Sequence, residues 1–156
     1  MSITAEKASD AFAAALLRCQ QLRFAADARR AIAAALDGAY CTKALLPRFA
    51  ALFPGDRVHY YTSSYSGHKM LVITRTTATG ARLEADFMLC RKGEKRIDAA
   101  RLIETAADYD QRRARIEQSL SDFYENLAQY NVLSTCISTA RSKIADVMYC
   151  LDRFQF

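Results

Sequence analysis

Apolar residues recur every three or four positions over both ends of this chain, and that rhythm limits what it can fold into more than any other feature. Near the amino terminus the series runs Ala5, Ala8, Phe12, Ala15, Cys19, Leu22 and Ala26, then Arg29, Ala33, Leu36 and Tyr40. Steps that alternate between three and four place these side chains in one narrow stripe, the pattern by which one helix packs along another. Thr4 is positioned to cap this helix, Glu6 lies in its first turn, and Gly38 is positioned to end it. Most members of the stripe are small, so the neighbouring helix is expected to come close. Arg29 alone interrupts it, and the drift of a straight helix against a seven-residue repeat brings Ile32 into its place.

A second series begins after Asp98, a suitable cap, and runs Leu102, Ala106, Tyr109, Arg113, Ile116, Leu120, Phe123, Leu127 and Tyr130. A third runs Leu133, Ile137, Ala140, Ile144, Val147, Leu151 and Phe154. Between Tyr130 and Leu133 the step is three where the rhythm calls for four. Such a break means either a bent rod or a turn near Asn131 with Ser134 capping a new helix. The usual length of globular helices favours the turn, and so a C-terminal helical hairpin packed on the first helix.

Between these ends the period changes. Residues 39–53 read as a turn and a short helix, with Pro47 tolerated only near its start and Pro54-Gly55-Asp56 closing it. Residues 57–63, 69–76 and 81–91 are rich in strand-forming side chains. Tyr65-Ser66-Gly67-His68 and Ala78-Thr79-Gly80 separate them as hairpin connections. In the third strand Leu83, Ala85, Phe87 and Leu89 alternate with Arg82, Glu84 and Asp86, as in a strand with one buried face. The middle strand offers Met70, Leu71, Val72 and Ile73 to both faces, which predicts a sheet covered on both sides. The expected fold is α+β: a long N-terminal helix, a short helix, a three-stranded antiparallel meander and the C-terminal hairpin. A chain of 156 residues can bury about two thirds of its unfolded surface, and it carries no Pro-, Gly- or Ser-rich linker, so residues 1–156 read as a single α+β domain.

Charges break every apolar stretch before the roughly 18 residues that a membrane-spanning helix needs. Glu6, Lys7 and Asp10 likewise interrupt the start of the chain where a secretory signal would be apolar. Five scattered cysteines, Cys19, Cys41, Cys90, Cys136 and Cys150, do not suggest a disulfide framework, and a reducing cytoplasm suits them. With no CxxC spacing and only His59 and His68 to supply imidazole, neither a metal site nor a cofactor is expected. Gly55, Gly67, Gly80 and Gly93 each sit at a turn, which leaves no glycine-rich phosphate loop.

What remains is charge, +5 in all. Arg18, Arg23, Arg29 and Arg30 load the first helix. Arg23 aligns with Arg30 and Arg18 with Arg29, giving two stripes that suit a phosphate backbone or an acidic protein and equally an ordinary solvated helix face. On the first strand Arg57, His59 and Tyr61 share a face, with Lys69 across the hairpin, as in sheets that stack bases, although tyrosine and threonine are also simply good strand residues. Arg91, Lys92, Lys95 and Arg96 form a basic turn. These residues point to a non-enzymatic interaction module that offers a basic, partly aromatic surface to an acidic partner, nucleic acid or a nucleic-acid-handling protein, as an inhibitor or regulator. A second reading is a structural or regulatory protein that self-associates as a homodimer through its helical seams. A third is a small hydrolase or transferase using the His59 region, with Cys90 beside His59 or His68 as the conceivable reactive pair.

Overall fold

A computed structural model describes the backbone of residues 5–133 and the side chains of residues 10–123 and 125. Helix α1 covers Ala5–Leu36, and a single 3-10 turn, Lys43–Leu45, leads into helix α2, Leu46–Leu52. The strands are β1 (Arg57–Thr62), β2 (Lys69–Thr76) and β3 (Arg82–Cys90), and helix α3 covers Ala99–Leu133. This is the expected α+β order, with the C-terminal helix packing on the first. Helix α3 continues through Asn131 to Leu133, and the third seam beyond that point lies outside the described residues. No described helix is long and apolar enough to cross a membrane.

The chain divides into two compact units. In the unit formed by α1 up to Cys19 and the chain from Gln111 onward, the predicted stripes do what their spacing implies. Ala15, Cys19, Ile116 and Leu120 are buried, and the rings of Phe12 and Phe123 meet at 6.3 Å. Arg113 and Glu117, one turn apart on α3, lie 3.6 Å from each other.

The other unit, Gln20–Asp110, holds the sheet and most of the core. Here α1 buries more than one stripe. Leu22, Ala26, Ala33 and Leu36 are buried as the seam predicts, and Phe24, Ala25, Ala28 and Ile32 are buried beside them, because this half of the helix also faces the sheet. Ile32 therefore does not replace Arg29 in the seam; both are inside. Gly38, with a φ of 72° that side chains disfavour, ends the helix, so Tyr40 falls outside the stripe and is 58% exposed. The chain at Gly38–Cys41 pairs instead with the stretch before α3: Gly38 N–H donates to Ile97 O (3.0 Å), Ile97 N–H to Ala39 O (3.0 Å) and Cys41 N–H to Lys95 O (2.9 Å). Asp98 caps α3, its Oδ1 accepting from Ala100 and Arg101 N–H, and Asp37 Oδ1 accepts from Ala99 N–H.

The sheet is antiparallel with order β1-β2-β3. Its inner face sets Leu71 and Ile73 of β2, and Leu83, Ala85, Phe87 and Leu89 of β3, against Phe24, Ile32, Phe49 and Phe53. The outer face carries three rows. In the register, His59 lies opposite Val72 and Val72 opposite Asp86; Arg57, Thr74 and Glu84 form the row on one side, and Tyr61, Met70 and Met88 the row on the other. Met70, Val72 and Thr74 are half-buried while Leu71 and Ile73 are fully buried, so β2 is not the doubly covered strand its composition suggests.

Candidate functional site

Two turns meet at the end of the sheet where β1 passes into β2 and where β3 ends. In the hairpin, Ser63 N–H donates to His68 O (2.9 Å) and Gly67 N–H to Ser63 O (2.8 Å). His68 Nδ1 accepts from Lys92 N–H at 2.9 Å, which ties the hairpin to the basic turn after β3. Gly67 suits this junction. Its φ is 72°, and a Cβ there would come within 2.9 Å of the Lys92 Cδ. Glu94 organises the basic turn from within, its N–H donating to Arg91 O and its Oε2 accepting from Arg91 N–H. Arg101 of α3 grips both oxygens of the same carboxylate, at 3.1 and 2.9 Å. Those hydrogen bonds hold the Glu94 carboxyl below its ordinary pKa. With the turn's acid so occupied, Arg91, Lys92, Lys95 and Arg96 are exposed, and no described carboxylate lies within ion-pair distance of them. Arg96 is steadied by Tyr40, donating to its hydroxyl at 3.0 Å with the guanidinium 4.7 Å above the ring. Tyr65, fully exposed at the hairpin tip, adds a second aromatic ring.

Along β1, Arg57 and His59 are exposed and Tyr61 is half-buried, all three on the outer face; the rings of His59 and Tyr61 stack at 5.3 Å and 17°. Lys69 behaves differently. It belongs to the inner face, half-buried, and its Nζ donates to Cys41 O at 2.6 Å, so its charge serves the fold.

Arg23, Arg29 and Arg30, the α1 arginines of this unit, do not join this surface. Arg29 is 3% exposed and is withdrawn from any partner, contrary to the sequence reading. Its guanidinium lies between the rings of Phe87 and Tyr109, at 4.7 and 4.5 Å, and donates to Ala25 O, Asp86 O and the Tyr109 hydroxyl. Burial lowers its pKa, with Tyr109 and Asp86 opposing. Arg30 is engaged by Asp27 and, more closely, by Asp110. Arg23 is exposed, beside a shallow groove floored by Phe24, Leu52, Phe53 and Leu83. Arg18 belongs to the other unit and is half-buried.

The pairing of Cys90 with a histidine does not form. Cys90 is buried on the inner face and donates to Arg96 O (3.2 Å), His59 lies on the outer face, and His68 accepts from Lys92. Around Cys90 sit Cys41 and Tyr60, the Cys41 sulfur 4.0 Å from the Tyr60 hydroxyl, which donates to Cys41 O at 3.4 Å. Burial first, then contact with Cys41, pushes both the Cys90 thiol and the Tyr60 hydroxyl up to about 12. A thiol so far from ionisation is a poor nucleophile, and Cys90 acts as core. Among the described residues no three His, Cys, Asp or Glu side chains gather as metal ligands.

His59, Arg91, Lys92, Lys95 and Arg96, named from the sequence, are exposed and Tyr61 is half-buried, whereas Tyr40 was missed because the seam claimed it for the helix. The signal was present: Gly38 precedes Tyr40, and a helix that stops at Gly38 cannot hold it. No protein-family model matches the chain, and no curated protein or solved structure is detectably similar to it.

Proposed function

We propose that this protein is a non-enzymatic interaction module whose binding surface is the basic, aromatic end of the sheet together with the outer face of β1, and whose partner is acidic. The observation that carries this reading is the tie between His68 and Lys92, which sets the 63–68 hairpin beside a turn carrying four exposed cations and only one acid, itself neutralised by Arg101. Exposed cations with no carboxylate in ion-pair distance among the described residues favour an external one, and Tyr40, Tyr65, His59 and Tyr61 add flat surfaces suited to packing under a polar ligand.

Binding of a labelled single-stranded oligonucleotide and of polyglutamate, each titrated at low and at moderate salt, tests this. Binding of at least one, weakening steeply with salt, is expected. Replacing Lys92, Lys95 and Arg96 together by glutamine is expected to weaken it about tenfold or more, roughly half a kcal/mol for each charge. A protein that binds neither probe at low salt ends the proposal.

A further inference from the structure

The two edges of the sheet are treated differently, and the difference can be read from the register. In an antiparallel pair, residues that bond to the neighbouring strand alternate with residues whose N–H and C=O point away from it. Ser63 bonds to His68, so the bonded positions on β1 are Tyr61, His59 and Arg57, opposite Met70, Val72 and Thr74. Val58, Tyr60 and Thr62 therefore direct their backbone groups outward. On β3 the same count, starting from the bond between Thr77 N–H and Ala81 O, makes Arg82, Glu84, Asp86 and Met88 the outward positions. Helix α1 reaches the middle two of these. The Gln21 amide accepts from Glu84 N–H at 2.8 Å and donates to Glu84 O, and Arg29 donates to Asp86 O at 3.2 Å. No hydrogen bond among the described residues reaches the outward backbone of Val58, Tyr60 or Thr62. An edge left in this state is a template for another strand.

We infer that β1 takes an extended acidic segment of a partner protein as a fourth strand of the sheet. The inference rests on the proposed acidic partner and narrows it to a protein chain. Charge selects the occupant. The acids of the outer face, Glu84 and Asp86, stand on the closed edge, whereas the open edge carries Arg57 and His59, has no acid of its own, and leads toward Lys92, Lys95 and Arg96. A second copy of β1 would set one cationic row against another. The added strand supplies carboxylates beside Arg57 and His59 on the outer face and apolar side chains beside half-buried Val58 and Tyr60 on the inner one, so an alternation of acidic and apolar residues is the sequence that fits.

The probe is a blocked octapeptide alternating glutamate and valine, titrated into the full chain at low salt, with hydrogen exchange followed at single amides. The expected result is binding that slows exchange at Val58, Tyr60 and Thr62 and leaves Arg57, His59 and Tyr61, already bonded to β2, unchanged. Methylating alternate peptide nitrogens along one side, or introducing Thr62→Pro, is expected to weaken binding about three- to tenfold, the worth of a hydrogen bond. Thr62→Pro should lower the melting temperature by no more than about 4 °C, since the N–H it removes is not used by the sheet. Binding with uniform protection, or with none on β1, overturns the inference. So does binding of an oligonucleotide with no binding of the peptide, a result that leaves the acidic-partner reading standing. If neither binds, both fall.

Discussion

The β3 edge and the β1 edge of one small sheet show how a fold assigns its polar groups. Along β3, side chains from α1 meet the outward backbone, one of them the guanidinium of a buried arginine held between two aromatic rings. Along β1 nothing comparable is present among the described residues, and the strand's cationic and aromatic side chains stand on the exposed face. The same chemical need is met internally at Glu84 and Asp86 on one side and left to the surroundings on the other. A charge count made without coordinates treats Arg29 and Arg57 alike, although one closes an edge and the other flanks an open one.

The contrast is broken most severely at Arg29. Arg29→Ala removes three hydrogen bonds and the filling between Phe87 and Tyr109, and is expected to lower unfolding free energy in urea by about 3 kcal/mol or more. An exposed arginine of the kind the sequence suggested would give a change near zero. On β1, parity is the test. His59→Pro removes an N–H that the register assigns to β2 and is expected to lower stability by about 2 to 3 kcal/mol, whereas Thr62→Pro should fall below about 1 kcal/mol. Equal losses at the two sites would mean that the outward assignment is wrong. At the closed edge, Gln21→Ala leaves Glu84 without its two side-chain bonds and should lower stability by about 1 kcal/mol, because solvent replaces part of what is lost.

A further effect, confined to alkaline pH, lies where Tyr60 of β1 and Cys90 of β3 share the inner face with Cys41. Their folded pKa values near 12 lie above the ordinary 10.0 and 9.0, so the native state keeps protons that the unfolded chain releases. Stability should be undiminished below about pH 9 and decline as pH rises from there toward 12. Melting curves across that range should show a shallower decline in Cys90→Val.

The helices were legible because spacing reports burial. Ala15, Cys19, Leu22, Ala26, Ala33 and Leu36 of α1, with Leu102, Ala106, Ile116 and Leu120 of α3, are buried as their rhythm implies. The strands were legible for a similar reason, their connections marked by Gly67 and Gly80, both at positive φ. What periodicity could not convey is a helix serving two neighbours at once, so Phe24, Ala25 and Ala28 gave no warning. The surface residues could be named but not grouped, because the tie between His68 and Lys92 joins positions 24 residues apart through a backbone N–H that carries no sequence signature. Arg29 is the sharpest case. Its place in the stripe was visible, and only the surrounding rings and carbonyls reveal that it belongs there.

Arg101 touches no partner in this scheme, yet it governs the field that a partner would feel from a distance. By clasping Glu94 it keeps the turn at the sheet's end uniformly positive. An uncharged residue at 101 would release a carboxylate among the lysines and shorten the reach of their attraction. Encounters would become rarer while complexes already formed lasted as long as before, so a helix residue remote from contact would set how quickly this surface finds what it binds.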